Sequence, residues 1–136
     1  MLYFQYEIFL MTFELIHVLY VDDEEVNLFL FKNLFKDRFQ ISTAMSPKQG
    51  MEIIKENKNI KVVITDMNMP DMDGLQFIDK VKADHQEIHF IILTGYEINQ
   101  RIKDALRNGI IKKYLPKPFN VNVIADTVSN VIKNPS

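Results

Sequence analysis

The sequence predicts an α/β domain, a five-stranded parallel sheet with helices on both faces laid down as five strand–helix units, (βα)5. Short, continuous apolar runs recur along the chain, among them residues 16–21, 61–65 and 89–94, and each meets a carboxylate or hydroxyl at its end. Between the runs lie segments of helical periodicity, long enough to serve as crossovers. Parallel neighbours need such crossovers, nearly always right-handed, so the alternation itself points to a parallel sheet. At 136 residues, 47% hydrophobic and 25% charged, the chain has the balance of one globular domain with one real core.

Residues 16–21 read as a first strand buried on both faces, closing in Asp22-Asp23. From Glu24 to about Phe39 the pattern is helical, with acids in the first turn and Val26, Leu30, Phe31 and Leu34 on one apolar stripe; Leu28 and Phe29 fall outside it. Residues 40–44 form a second strand, and Ser46-Pro47 opens a second helix as an N-cap followed by proline, with Met51, Ile53 and Ile54 inward. Residues 61–65 are the third strand and residues 74 to about 84 the third helix, with Leu75, Phe77, Ile78 and Val81 as apolar positions. Residues 89–94 are a fourth strand, followed by a helix that Gly109 stops. Residues 110–115 hold a short fifth strand and residues 121–132 a last helix, whose apolar positions are Val121, Val123, Ile124, Val128 and Ile132.

Without cysteine the chain has no disulfide framework, thiolate metal site or cysteine nucleophile, and a cytoplasmic location fits. A formal charge of -2 gives no argument for nucleic acid, but the charge is unevenly spread. No Lys or Arg precedes Lys32, whereas after residue 100 Arg101, Lys103, Arg107, Lys112, Lys113, Lys117 and Lys133 face only Asp104 and Asp126, as a solvated helix face or a partner surface. The opening MLYFQYEIFLMTF lacks the basic start and cleavage site of a secretion signal. Glu7 and Glu14 interrupt any window of the about 20 apolar residues that a membrane span needs. Phe4, Tyr6, Ile8 and Leu10 alternate with Gln5 and Glu7, as an added strand or adhesive arm would, and Met11 is an alternative start. The expected division is an apolar extension of open role over residues 1–13 and a domain over residues 14–134.

Ligands of open parallel sheets bind beyond the carboxyl ends of the strands, which brings Asp22, Asp23, Asp66, Thr94 and Lys117 to one edge. Asp22-Asp23 alone reads equally well as a helix start. Asp66 decides the matter, because two carboxylates about 4 Å apart repel by roughly 4 kcal/mol at an effective dielectric of 20. Three in a pocket demand cations: Lys117 supplies one, and with oxygen donors only, Mg2+ is the expected remainder. The same acids exclude a flavin phosphate in the loop after the first strand. An aspartate beside Mg2+, with a lysine and a hydroxyl aimed at it, is arranged to accept a phosphoryl group as an acyl phosphate. Met69-Pro70 fixes the turn after Asp66, and Gly74 lets the chain enter the next helix.

The stretches VLYVDDE (18–24), ITDMNMPDMDG (64–74), ILTGY (92–96) and YLPKPF (114–119) stand in order, each at a strand end. Together, over about residues 14–134, they resemble the receiver domain of bacterial two-component response regulators, a flavodoxin-like fold. The resemblance implies Asp66 as phosphoacceptor, Mg2+ bound by Asp23, Asp66 and the main-chain carbonyl of Asn68 with Asp22 helping through water, and Thr94 and Lys117 on the phosphoryl oxygens. It also implies Tyr114 as an aromatic switch coupled to Thr94, a cis Lys117-Pro118 bond, and Asn68 and Tyr96 as positions that tune hydrolysis. Phosphorylation would be read on the fourth helix, fifth strand and fifth helix, where Arg101, Lys103, Arg107, Lys112 and Lys113 form a candidate partner surface. Leu28 and Phe29 form a second, docking against the donor histidine's helical bundle or else covered by the aromatic opening.

The implied partners are a sensor histidine kinase or histidine phosphotransfer protein and a downstream effector or output domain, with a phosphorylation-linked homodimer as an option. Direct nucleic-acid binding, a membrane span and enzyme activity beyond self-phosphorylation and autodephosphorylation are not expected. The alternatives are a non-phosphorylated scaffold or dimerisation module, and a receiver fragment of a larger regulator or hybrid histidine kinase. A small-molecule phosphatase fits poorly, since Asp66-Met67-Asn68 lacks a second acid two residues on.

Overall fold

Five strands, β1 (His17–Val21), β2 (Gln40–Ala44), β3 (Ile60–Asp66), β4 (His89–Thr94) and β5 (Lys113–Pro116), pair in parallel in the order β2-β1-β3-β4-β5. This computed structural model describes residues 15–134; the expected extension over residues 1–13 lies outside the described residues. The crossovers are α1 (Glu25–Phe35), α2 (Pro47–Glu56), α3 (Gly74–Asp84) and α4 (Gln100–Arg107), and α5 (Val121–Lys133) closes the described chain. Strand order reverses about β1, which has β2 on one side and β3 on the other, so a crevice opens at the carboxyl ends of β1 and β3. No helix among the described residues is long and apolar enough to cross a membrane.

Successive side chains of a strand point to opposite faces, so each inner strand supplies two cores. Leu19 and Val21 of β1 join Ile54, Phe77, Ile78 and Ile102 from α2, α3 and α4 on one face. Val18 and Tyr20 join Phe31, Phe35, Ile124 and Val128 from α1 and α5 on the other. All five residues of β1 are buried, as an inner strand covered on both faces must be. Ser46 caps α2 by accepting the Gln49 amide at 3.1 Å, with Pro47 in the first turn as expected.

The inward face of α1 is not the expected one. Leu28, Phe31 and Phe35 are buried, whereas Val26, Leu30 and Leu34 are 68%, 44% and 45% exposed. Leu28, 6% exposed, therefore belongs to the core and not to a partner surface, while Phe29 is 67% exposed. The helix is apolar on both sides, so periodicity alone could not choose. The rings choose: Phe31 stacks on Tyr20 at 4.4 Å and lies 4.6 Å from Phe35, and such aromatic packing buries more area than a Val/Leu stripe. The helix also ends at Phe35, and the Lys36 and Phe39 amides turn back onto Lys32 and Phe35, bringing the Phe39 ring over Phe35 at 6.0 Å.

One further boundary and one further stripe shift. Residues 110–112 belong to a turn, because Gly109 adopts φ 75° and the Ile110 and Ile111 amides both donate to the Ala105 carbonyl, leaving β5 to start at Lys113. On α5 the inward stripe is Ile124, Val128 and Val131, and Val123, one position off it, is 41% exposed.

Leu28→Ala is expected to cost about 2–5 kcal/mol through the cavity it leaves, and Val123→Ala to stay within about 0.5 kcal/mol. Urea denaturation of the two variants checks both.

Candidate functional site

β1 and β3 are hydrogen-bonded neighbours, so the carboxylates that follow and end them share one crevice. Oxygens of Asp22, Asp23 and Asp66 all lie within 4.8 Å of one another. Asp22 is fully buried and saturated: it accepts the Tyr20 hydroxyl, the Glu24 amide at 2.9 Å, the Asn27 side chain at 3.1 Å and the Lys117 ammonium at 2.8 Å. Asp66, also buried, is lightly held, with the Asn68 amide at 3.4 Å and Lys117 at 3.4 Å. Lys117 reaches them from the loop after β5, where its own amide donates to the Thr94 carbonyl at 3.0 Å and its peptide to Pro118 is cis. Thr94, buried at the end of β4, accepts the Tyr96 amide on its hydroxyl at 3.2 Å. Tyr114 is half-buried against the α2–α4 core, Asn68 is exposed, and Tyr96 stands 71% exposed at the rim.

The loop after Asp66 is tightly built. Asp71 takes φ 70°, and the Met72 amide donates to the Pro70 carbonyl at 2.8 Å. Gly74 then crosses so close to the strand end that a Cβ there would sit 2.6 Å from the Asp66 carbonyl oxygen and 3.1 Å from the Met67 Cα. Glycine is required by this approach of backbone to backbone rather than by a left-handed turn. Asp73 caps α3 in a reciprocal capping box with Gln76.

The model of the response regulator receiver domain family matches residues 18–129. The chain belongs to this family. The receiver is 28% identical over 120 residues to the two-component response regulator ORR5 of Oryza sativa, covering 86% of this chain and 89% of that one. It superposes on a response regulator receiver domain protein from Clostridium thermocellum with a TM-score of 0.82 at 32% identity, covering 89% and 97% of the two chains. Against the CheX-CheY-BeF3-Mg+2 complex from Borrelia burgdorferi the TM-score is 0.77 at 26% identity, with 86% and 89% covered.

Electrostatics separate the receiver's two buried acids. Burial pushes the Asp22 carboxyl up, but the hydrogen bonds from Lys117, Tyr20 and the Glu24 amide outweigh it and hold the group below its ordinary value. Burial also pushes Asp66 up, and there the attraction of Lys117 is opposed by the Asp22 charge, so the group stays above its ordinary value. Burial works against the charge on Lys117, and its bonds to Asp22 and the charge of Asp66 more than restore it.

Two supporting residues escaped the sequence reading. Tyr20 and Asn27 both donate to Asp22, and the signal for Tyr20 was present, since residues two apart on a strand share a face. Of the basic residues read as one surface, two are held in ion pairs. Arg101 forks onto Asp73 at 2.7 and 3.3 Å beside the site, Arg107 pairs with Asp104 within α4, and Lys103 is exposed. Lys112 and Lys113 lie at the far edge, where the Lys112 amide meets the Phe90 carbonyl.

The folded state favours protonated Asp66; that contribution is full below about pH 4 and is lost as pH rises through the raised folded value. Asp22 has the opposite sign, stabilising above about pH 4 and losing its contribution as pH falls through its depressed value. In metal-free buffer at neutral pH, Asp66→Asn should therefore raise the thermal midpoint by a few degrees. Asp22→Asn, which strips Lys117 of its nearest partner, should cost about 3 kcal/mol; calorimetry reads both. Gly74→Ala should cost about 1–3 kcal/mol by overpacking, visible as an earlier urea midpoint.

Proposed function

We propose that this receiver is a phosphorylation-dependent switch of a two-component system, taking a phosphoryl group from a histidine kinase or histidine phosphotransfer protein onto Asp66 with Mg2+. The observation that carries this reading is the unequal satisfaction of the two buried acids. Asp22 is bonded to four donors, whereas Asp66 keeps oxygen lone pairs free at the mouth of the crevice. A nucleophile needs such an oxygen. In the step, the donor's bond to phosphorus breaks as an Asp66 Oδ–P bond forms, leaving an acyl phosphate.

The donor set suits a hard divalent cation: three carboxylates converge against one ammonium, with oxygen ligands alone. Asp23, Asp66 and the Asn68 carbonyl would hold Mg2+, which when bound neutralises charge on the incoming phosphoryl group. Lys117 is pinned by Asp22 within reach of Asp66 and can follow a phosphoryl oxygen without leaving its anchor. The Thr94 hydroxyl, which accepts the Tyr96 amide, would donate its own proton to a phosphoryl oxygen, and Tyr114 would follow inward, presenting a changed α4–β5–α5 surface to an effector or output domain. Tyr96 at the rim would limit access of water to the acyl phosphate. Action in the cytoplasm, and no turnover beyond the receiver's own phosphate, belong to the same reading.

Incubation with acetyl phosphate followed by intact-mass measurement tests it. One phosphoryl adduct is expected with Mg2+, none in EDTA and none in Asp66→Asn; an adduct that survives the substitution overturns the assignment.

A further inference from the structure

The two ends of the sheet carry opposite charge. Three carboxylates converge at the carboxyl edge, whereas at the amino edge Lys61, Lys82 and Lys112 surround the start of β4. Lys61 directly precedes Val62, the register partner of His89. Lys82, in the last turn of α3, holds its ammonium 5.4 Å from the centre of the Phe90 ring, and the Lys112 amide donates to the Phe90 carbonyl at 2.8 Å. β3, α3 and the turn before β5 thus bring one lysine each to the same two residues.

Lysines at a helix end or a strand start are ordinarily just solvated. Two observations set this group apart. His89 is half-buried beside it, and burial together with the charges of Lys112, Lys82 and Lys61 lowers the ring below its ordinary value, with no carboxylate among the described residues acting on it in the opposite direction. Lys61 and Lys82 form no ion pair among the described residues, and Lys82 is kept in place by the aromatic face beneath it. Like charges gathered by folding oppose one another until an anion joins them.

Asp84 and Glu87, exposed on the connection from α3 to β4, decide the size of that anion. A long polyanion leaving the lysines along this connection would meet both acids, whereas a compact group would not. Ammonium groups are point donors suited to phosphate-type oxygens. We propose that the amino edge of the sheet, Lys61, Lys82 and Lys112 beside His89, is a binding site for a compact, doubly charged tetrahedral oxyanion of the phosphate class. Binding is linked to His89: the anion favours the charged ring, so affinity rises as pH falls, by the same factor as the anion raises the ring's affinity for its proton. The site stands apart from Asp66 and its phosphoryl chemistry.

Sulfate is the probe, because it keeps both charges throughout the titration and cannot phosphorylate Asp66. The ring signals of the three histidines are followed against pH by NMR of the full-length chain, in sulfate and in chloride of equal ionic strength, without divalent metal. The His89 midpoint should rise in sulfate by about half a pH unit, a threefold tighter hold on the charged ring, while His85, 3.7 Å from Glu87, keeps its midpoint. Lys61→Gln and Lys82→Gln should each raise the sulfate Kd several-fold, and Lys80→Gln, exposed on α3 outside the group, should leave it unchanged; amide signals away from the edge report that each variant is folded. Inorganic phosphate and AMP, compared in the same way, show whether the group is taken free or at the end of a nucleotide, and tighter binding of either upholds the site. An unmoved His89 midpoint, sulfate binding indifferent to Lys61 and Lys82, or an equal loss in Lys80→Gln would mean an adventitious ion only and overturn the proposal.

Discussion

One ammonium group, that of Lys117, lies 2.8 Å from Asp22 and 3.4 Å from Asp66, and the carboxyl edge of the sheet is organised around that imbalance of charge. Two buried acids and a third within 4.8 Å cannot be balanced by one cation. Most of the balancing falls to Asp22, which gathers four donors, and the remainder is left on Asp66. The site thus holds a carboxylate in a state that folding alone would not favour. Only a fold with inner strands under both acids can keep them together, because exposed strand ends could move apart.

The aromatic core is connected to this arrangement through Tyr20. Its ring stacks on Phe31 and meets Phe119 edge-on at 5.7 Å, while its hydroxyl bonds Asp22. Burial, the bond to Asp22 and the neighbouring carboxylates all push the phenol's ionisation upward, so it remains a donor across any ordinary pH. The packing that decided which face of α1 turns inward is therefore the packing that holds the anchor of Lys117. Phe119, two residues past Lys117, closes the same cluster from the other side.

What the sequence made legible follows from which signals were unambiguous. The inner strands β1, β3 and β4 could be placed because buried parallel strands are apolar runs, and α3 was placed closely because Gly74 opens it and a clean apolar stripe follows. The convergence of Asp22, Asp66, Thr94 and Lys117 followed from strand ends alone. Helix α1 was misjudged because Val26, Leu28, Phe29, Leu30, Phe31, Leu34 and Phe35 satisfy two helical stripes at once, and only ring packing in three dimensions separates them. Of the basic residues after position 100, Arg101, Lys103 and Arg107 belong to α4 and Lys112 and Lys113 to the entry of β5, an assignment that followed from the helix stop at Gly109. The ion pair of Arg101 with Asp73, 28 positions apart, has no local signature at all.

The contact at Gly74 bears on how such a site can be transplanted. Because α3 begins against the carbonyl of Asp66 with no room for a methyl group, the position of the acid and the position of the helix are one geometric quantity. A loop excised from this protein and grafted onto another strand would arrive without the surface that defines where its aspartate stops. The smallest portable piece is strand, loop and helix together, residues 60–84, and a scaffold that receives it must offer that helix the same apolar bed.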